Sequence, residues 1–186
     1  MKWLLLLPCW LVVNLLAYLL APILPLFAVD AYGKLDNNNA DGWGWRLPNW
    51  LAWLGTNDNA LTGDAGHLER TDDCTEYWRM VLWLWRNPAV GFDAAVLNAD
   101  LVPACTQVSV TGDPLIQDAP HGKEGYCLTQ VQGYWNLVYV KRFGSRCLKL
   151  DLGWQLKTFA EGHPLTTTAR YAMSIRFPIF KDGENG

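Results

Sequence analysis

Side chains able to do chemistry are densest between positions 55 and 73, where the chain reads GTNDNALTGDAGHLERTDD. Asp58, Asp64 and His67, with Arg86 further on, supply two carboxylates, an imidazole and a guanidinium, the acid, base and anion-binding groups a hydrolytic site needs. Asn57, Asn59, Arg79 and Asn87 add amide and guanidinium groups suited to ligand binding. Asp58, Asp64 and Glu69 are the metal-ligand candidates, since a hard cation such as calcium takes about six to eight oxygens. Counted as an EF-hand loop from Asp58, Gly63 falls at position 6 and Glu69 at position 12, but Ala60 and Thr62 stand at 3 and 5, where carboxylates or amides belong. A hydrogen-bonded turn on Gly55, Gly63 and Gly66 that caps the following helix is the weightier reading.

Other catalytic signatures are lacking. Ser109, Ser145 and Ser174 have no G-x-S-x-G setting, and there is no H-E-x-x-H pair or phosphate-binding glycine loop. His121 and His163 lie in loop-like sequence. No motif calls for a cofactor, and the balance leans away from an enzyme.

The elements that must position these residues begin with a run from Trp3 to Val29, twenty-seven residues without a charge and with Asn14 as the one strongly polar side chain. About 20 apolar residues cross a bilayer as a helix, so residues 2–20 are expected to form a transmembrane helix, followed by an extended apolar segment where Pro22 and Pro25 intervene. The apolar core is about twice the length of a cleaved secretory signal, which favours an uncleaved anchor. Lys2 favours a cytoplasmic N-terminus, and hence a single-pass inner-membrane protein with its domain on the periplasmic side. The expected organisation is an anchor at 1–29, a linker and interfacial segment at 30–54 carrying Trp43, Trp45, Trp50 and Trp53, and one domain at 55–186.

Residues 74–86, CTEYWRMVLWLWR, are apolar nearly all round and stop at Asn87-Pro88, so a core helix capped by Asp72 or Asp73 is expected. Arg79 and Arg86 would share one face and meet acidic loop residues, and a second short helix would follow at about 91–101. From Cys105 the period changes to two: strands are expected at 105–111, 126–132, 134–142, 147–152, 154–159 and 169–180, with turns at 143–146 and near Gly153. Leu148, Leu150 and Leu152 alternate with Cys147, Lys149 and Asp151, the pattern of an antiparallel sheet with one covered face. The fold class is therefore α+β, an N-terminal transmembrane helix followed by a domain in which a Trp-rich core helix packs on an antiparallel β-sheet.

The net charge of −3 argues against a nucleic-acid partner, although residues 1–120 hold 6 basic and 13 acidic side chains and residues 121–186 hold 9 and 5. Cys74, Cys105, Cys127 and Cys147 show no CxxC pair; two disulfides in an oxidising compartment and four buried thiols in the cytoplasm are both compatible with the spacing.

Three blocks resemble a family of small proteins encoded by tailed bacteriophages and prophages: Thr56-Asn57-Asp58-Asn59 with Leu61 and Gly63-Asp64, a DN-x-L-x-GD motif; Trp83 to Pro88 with Gly91-Phe92, containing W-R-N-P-x-x-G-F; and Gly153-Trp154-Gln155-Leu156-Lys157. The resemblance covers about residues 45–160 and includes the apolar N-terminus; it implies a phage origin and a bacterial envelope and carries no catalytic role. The expected function is that of a membrane-anchored accessory protein that contacts a host or phage protein, for example in superinfection exclusion or inhibition of host defence. The alternatives are a hydrolase or ligand- or metal-binding enzyme using the 57–73 loop, and a virion structural component.

Overall fold

The computed structural model describes residues 2–30, 44–56, 60–101, 107–118, 123–162 and 168–179. The chain divides into two compact units, Met1–Val96 and Leu97–Gly186, and the division falls inside the 55–186 stretch. The fold is α+β, with an apolar N-terminal helix, an antiparallel sheet and clustered tryptophans.

In the first unit the apolar run forms helix α1 (Lys2–Leu20), long and apolar enough to cross a membrane. Pro8 lies in its early turns, and the Asn14 amide donates to the Trp10 carbonyl at 3.0 Å, which satisfies the one strongly polar side chain inside its own helix. Beyond Leu20 the chain is not extended as expected. It turns into a 3₁₀ helix, Leu24–Phe27, because Pro25 at its start is pre-set in φ and needs no N–H partner there. Strands β1 (Val29–Asp30) and β2 (Trp45–Arg46) then pair antiparallel.

Helices α2 (Ala65–Arg70), α3 (Glu76–Arg86) and α4 (Val90–Ala95) complete this unit. The cap of α3 is Thr75, whose hydroxyl accepts from the Trp78 N–H at 3.4 Å, and not Asp72 or Asp73; those two residues lie in the preceding turn. Met80, Val81, Trp83 and Leu84 bury the inner side of α3. Its aromatic side meets α1: the Tyr18 and Trp85 rings stack at 5.8 Å, Trp85 Nε1 donates to the Tyr18 carbonyl at 3.0 Å, and the Tyr77 hydroxyl donates to the Pro22 carbonyl. Further along α1, Trp10 Nε1 donates to Asp93 Oδ2 of α4 at 3.3 Å.

The tryptophans of the 44–54 segment divide in role. Trp45 donates to Glu76 Oε1 at 2.6 Å, Trp53 packs edge-on against Phe92 and donates to the Trp50 carbonyl, and Trp50 is 65 % exposed beside Phe27. Trp43 lies outside the described residues.

The second unit is built on a five-stranded antiparallel sheet, order β4-β5-β6-β7-β9, comprising β4 (Val108–Gly112), β5 (Gly125–Val131), β6 (Tyr134–Phe143), β7 (Arg146–Trp154) and β9 (Tyr171–Arg176). A small pair, β3 (Ala99–Asp100) with β8 (Thr168–Ala169), lies outside it. The 143–146 turn forms as expected, with Phe143 paired to Arg146. Residues 154–159 do not form a separate strand. After Trp154 the chain enters the short helix α5 (Lys157–Ala160), because Leu156 and Phe159, three apart, are both buried and a strand would send them to opposite faces.

Register decides which face is closed. Cys127, Val138 and Asp151 are successive cross-strand partners, as are Val140 and Lys149, so the enclosed cluster of Ile116, Cys127, Val138, Val140 and Cys147 lies on the face that Lys149 and Asp151 share. Helix α5 and the 3₁₀ segment Pro114–Asp118 pack on this face. The leucine row Leu148, Leu150, Leu152 lies on the opposite side and is only half-buried, so the alternation holds while the tightest core is on the mixed-polarity side.

Gly153 is not a turn. It sits within β7 at φ +106°, and a Cβ there would lie 2.0 Å from the Trp135 carbonyl oxygen. Gly153→Ala is expected to lower the unfolding free energy by more than about 2 kcal/mol, read as a shift in the urea midpoint of the full chain in mild detergent.

Candidate functional site

Trp83 is the hub on which the chemically equipped residues of the first unit converge. Its ring is buried, and its Nε1 donates to Thr56 Oγ1 at 3.3 Å. The His67 ring lies 5.1 Å away on one side and the Arg86 guanidinium 5.4 Å from the ring centroid on another. Gly63, at φ +88°, makes this approach feasible, since a Cβ would lie 2.6 Å from Trp83 and 2.7 Å from His67.

Around the hub each polar group is engaged. Asp64 caps α2 by accepting from the His67 backbone N–H at 2.7 Å, and the same Oδ1 lies 3.7 Å from Arg86 Nη1 in a pair whose side chains are about half exposed. His67 Nε2 faces the Arg79 carbonyl at 3.0 Å; a carbonyl only accepts, so Nε2 carries the proton and the buried ring ties α2 to α3. Among the described residues Arg79 pairs with no acidic side chain. It donates to the Thr71 carbonyl at 3.0 Å and to Thr71 Oγ1 at 3.2 Å, placing a cation at the C-terminus of α2. Asn87 caps α3 by donating its amide to the Trp83 carbonyl at 3.3 Å.

Asp64, His67, Arg79, Arg86 and Asn87 are therefore brought together, Glu69 is exposed on α2, and Asn57, Asp58 and Asn59 lie outside the described residues. Among the described residues no group of three His, Cys, Asp or Glu side chains converges to hold a metal ion. Of the described residues brought together here, Asp64 and Arg86 present a half-exposed carboxylate and guanidinium, and the others are bonded internally.

The second unit holds a titratable group that sequence reading passed over. Asp151 stands on the closed face of the sheet, where the buried Asn136 amide donates to its Oδ1 at 2.8 Å and to the Leu152 carbonyl at 3.2 Å. Burial pushes the Asp151 carboxyl above its ordinary range; the Asn136 hydrogen bond and the positive charges of Lys149, Arg176 and Arg170 oppose the shift without cancelling it. Alternation in β7 could have flagged a carboxylate in phase with Cys147 on the closed side. Cys147 is fully buried there, and burial raises its thiol pKa and keeps it protonated. Cys74 is a thiol on the first unit, Cys127 lies 3.6 Å from Thr129 Oγ1, and Cys105 is outside the described residues. At one end of β4, β5 and β6 an open groove of about 530 Å³ is lined by uncharged side chains, among them Ser109, Gln130, Tyr134 and Trp135.

A family model matches residues 1–184, nearly the whole sequence, including the apolar helix and both units. The chain belongs to DUF7338, a family of unknown function. No curated protein and no solved structure matches it. In this DUF7338 member the segments holding the DN-x-L-x-GD and W-R-N-P-x-x-G-F blocks are joined by the Asp64–Arg86 pair and by a 2.7 Å bond from the Gly91 N–H to the Gly55 carbonyl.

Two outcomes follow from these bonds. Arg79→Met, which strips a cation from the Thr71 carbonyl, is expected to cost about 1–3 kcal/mol, whereas Arg86→Met, which breaks a half-exposed pair, should cost less than about 1 kcal/mol; urea midpoints of the two variants give the order. For Asp151 the folded-state pKa is raised, so its ionisation penalises the folded state: stability relative to a neutral side chain is highest below the unfolded carboxylate range and falls as pH rises through the folded value. Asp151→Asn should therefore gain in Tm relative to wild type as pH is raised from about 3 to 7, while a difference that stays constant or shrinks contradicts this environment.

Proposed function

We propose that this protein is a phage-encoded accessory protein attached to the inner membrane of a bacterial host, where it acts by contact with a host or phage protein. The observation that carries the reading is α1: Leu4, Leu5, Leu11, Val12, Leu15 and Leu19 are 51 to 78 % exposed on a helix without a charge after Lys2. Such a surface is unfavourable in water and finds its natural solvent in lipid. The likeness of the 56–64, 83–92 and 153–157 blocks to phage and prophage proteins supports the host setting, and superinfection exclusion or blocking of a host defence is the kind of role it suits.

The test is made in a bacterial host expressing the full chain. The protein should remain in the membrane after carbonate extraction, and plating of at least one phage in a diverse panel should fall tenfold or more. Leu5→Glu with Val12→Glu, on the outward side of α1, should release the protein and restore plating. Unchanged plating across the panel, or recovery of the chain in purified particles, contradicts the proposal.

A further inference from the structure

Helix α1 is docked lengthwise on its own unit, which bears on how it meets a membrane. Trp10 is bonded to Asp93 of α4, Tyr18 is stacked on Trp85 of α3, and Pro22 receives the Tyr77 hydroxyl. Trp10, Ala17 and Ala21 recur at helical spacing on the docked side, Ala17 and Ala21 fully buried, while Leu4, Leu5, Leu11, Val12, Leu15 and Leu19 fall on the other side. Trp10 and Tyr18 are eight positions apart, about 12 Å of helix, so these bonds run along the C-terminal half of α1 and continue past its end to Pro22.

That arrangement conflicts with a crossing. Trp10 is near the middle of α1, and in a spanning helix Asp93 would sit at the level of the bilayer centre, among the costliest positions for a carboxylate. The irregular backbone from Asn87 to Ala89, with Ala89 left-handed at φ 51°, would lie at hydrocarbon depth, where lipid cannot satisfy its polar groups. The half-exposed Asp64–Arg86 pair would follow it inward, since Arg86 adjoins the Trp85 that stacks on Tyr18.

We infer that α1 lies in the plane of the membrane: its docked side faces α3 and α4, and its outward stripe enters the lipid of one leaflet without crossing. The occupant of the stripe is lipid because the outward side is as apolar as the docked one, whereas a helix facing water alternates apolar with charged sides. The stripe also runs on into Ile23, Leu26 and Phe27, with exposed Trp50 edge-on to Phe27, the aromatic composition of a lipid–water boundary. Leu5, Val12 and Leu19 then lie at similar depth, about 5–10 Å into the headgroup and acyl boundary, and both ends of the chain stay on one side of the membrane.

This inference rests on the attachment proposed above, and the experiment separates the two. The full chain, tagged at both ends, is first floated with vesicles of host phospholipid; in sealed spheroplasts and inverted vesicles, protease is then added from outside. The expected result is flotation, with both tags digested from the same side. Flotation with the tags digested from opposite sides keeps the attachment and overturns the in-plane geometry. Failure to float removes the attachment and this inference with it. A soluble dimer cross-linked through the exposed Cys9 on oxidation would assign the stripe to a second copy and overturn it as well.

Discussion

The need to shield an uncharged run of twenty-seven residues governs the first unit. A helix apolar all round cannot be left in water, and here one side of it is covered from within by α3 and α4. The cover is aromatic and carries its own polar closure. Tyr77 and Trp85 place large apolar surfaces against α1 or the turn after it, Trp10 reaches from α1 to α4, and each sends its N–H or O–H to an oxygen.

A second constraint acts at the Trp83 hub. Three helices of six, eleven and six residues are too short to be stable alone. They are held by caps and side-chain bonds: Asp64 and Thr75 at N-termini, Asn87 at the end of α3, and Arg79 at the end of α2. Among the described residues of that loop and helix, Asp64, His67, Arg79 and Asn87 thus fasten the helical knot, and the Asp64–Arg86 pair stands half-exposed on it. In the second unit, Gly153 lets β7 pass close to β6, and its register places Asp151 on the closed face beside Asn136.

Much of this organisation was legible beforehand. The extent of α1 follows from hydrophobic length and proline positions, the strands of the sheet from period-two alternation, and the turn at 143–146 from its glycine. Local density singles out Asp58, Asp64, His67 and Arg86; Asp58 lies outside the described residues, and Arg86 meets Asp64. What escaped depended on which groups the folded chain brings into contact. Thr75 replaces Asp72 and Asp73 as the cap of α3 because the preceding turn carries those two residues outside the helix. After Trp154 the chain turns into α5 because two residues three apart find the same core, and among the described residues Arg79 turns to the Thr71 carbonyl.

The sequence by itself determined that an apolar helix leads into a mixed α+β chain with a polar, glycine-punctuated loop, because composition and periodicity act locally and need no partner to be recognised. Only the tertiary structure decided that α1 lies along α3 and α4, that His67 is a buried strut, and that the closed face of the sheet carries Asp151 while the leucine row lies opposite. Those outcomes depend on which surfaces meet, and a pairing energy between residues such as Trp10 and Asp93, eighty-three positions apart, is written in no local pattern.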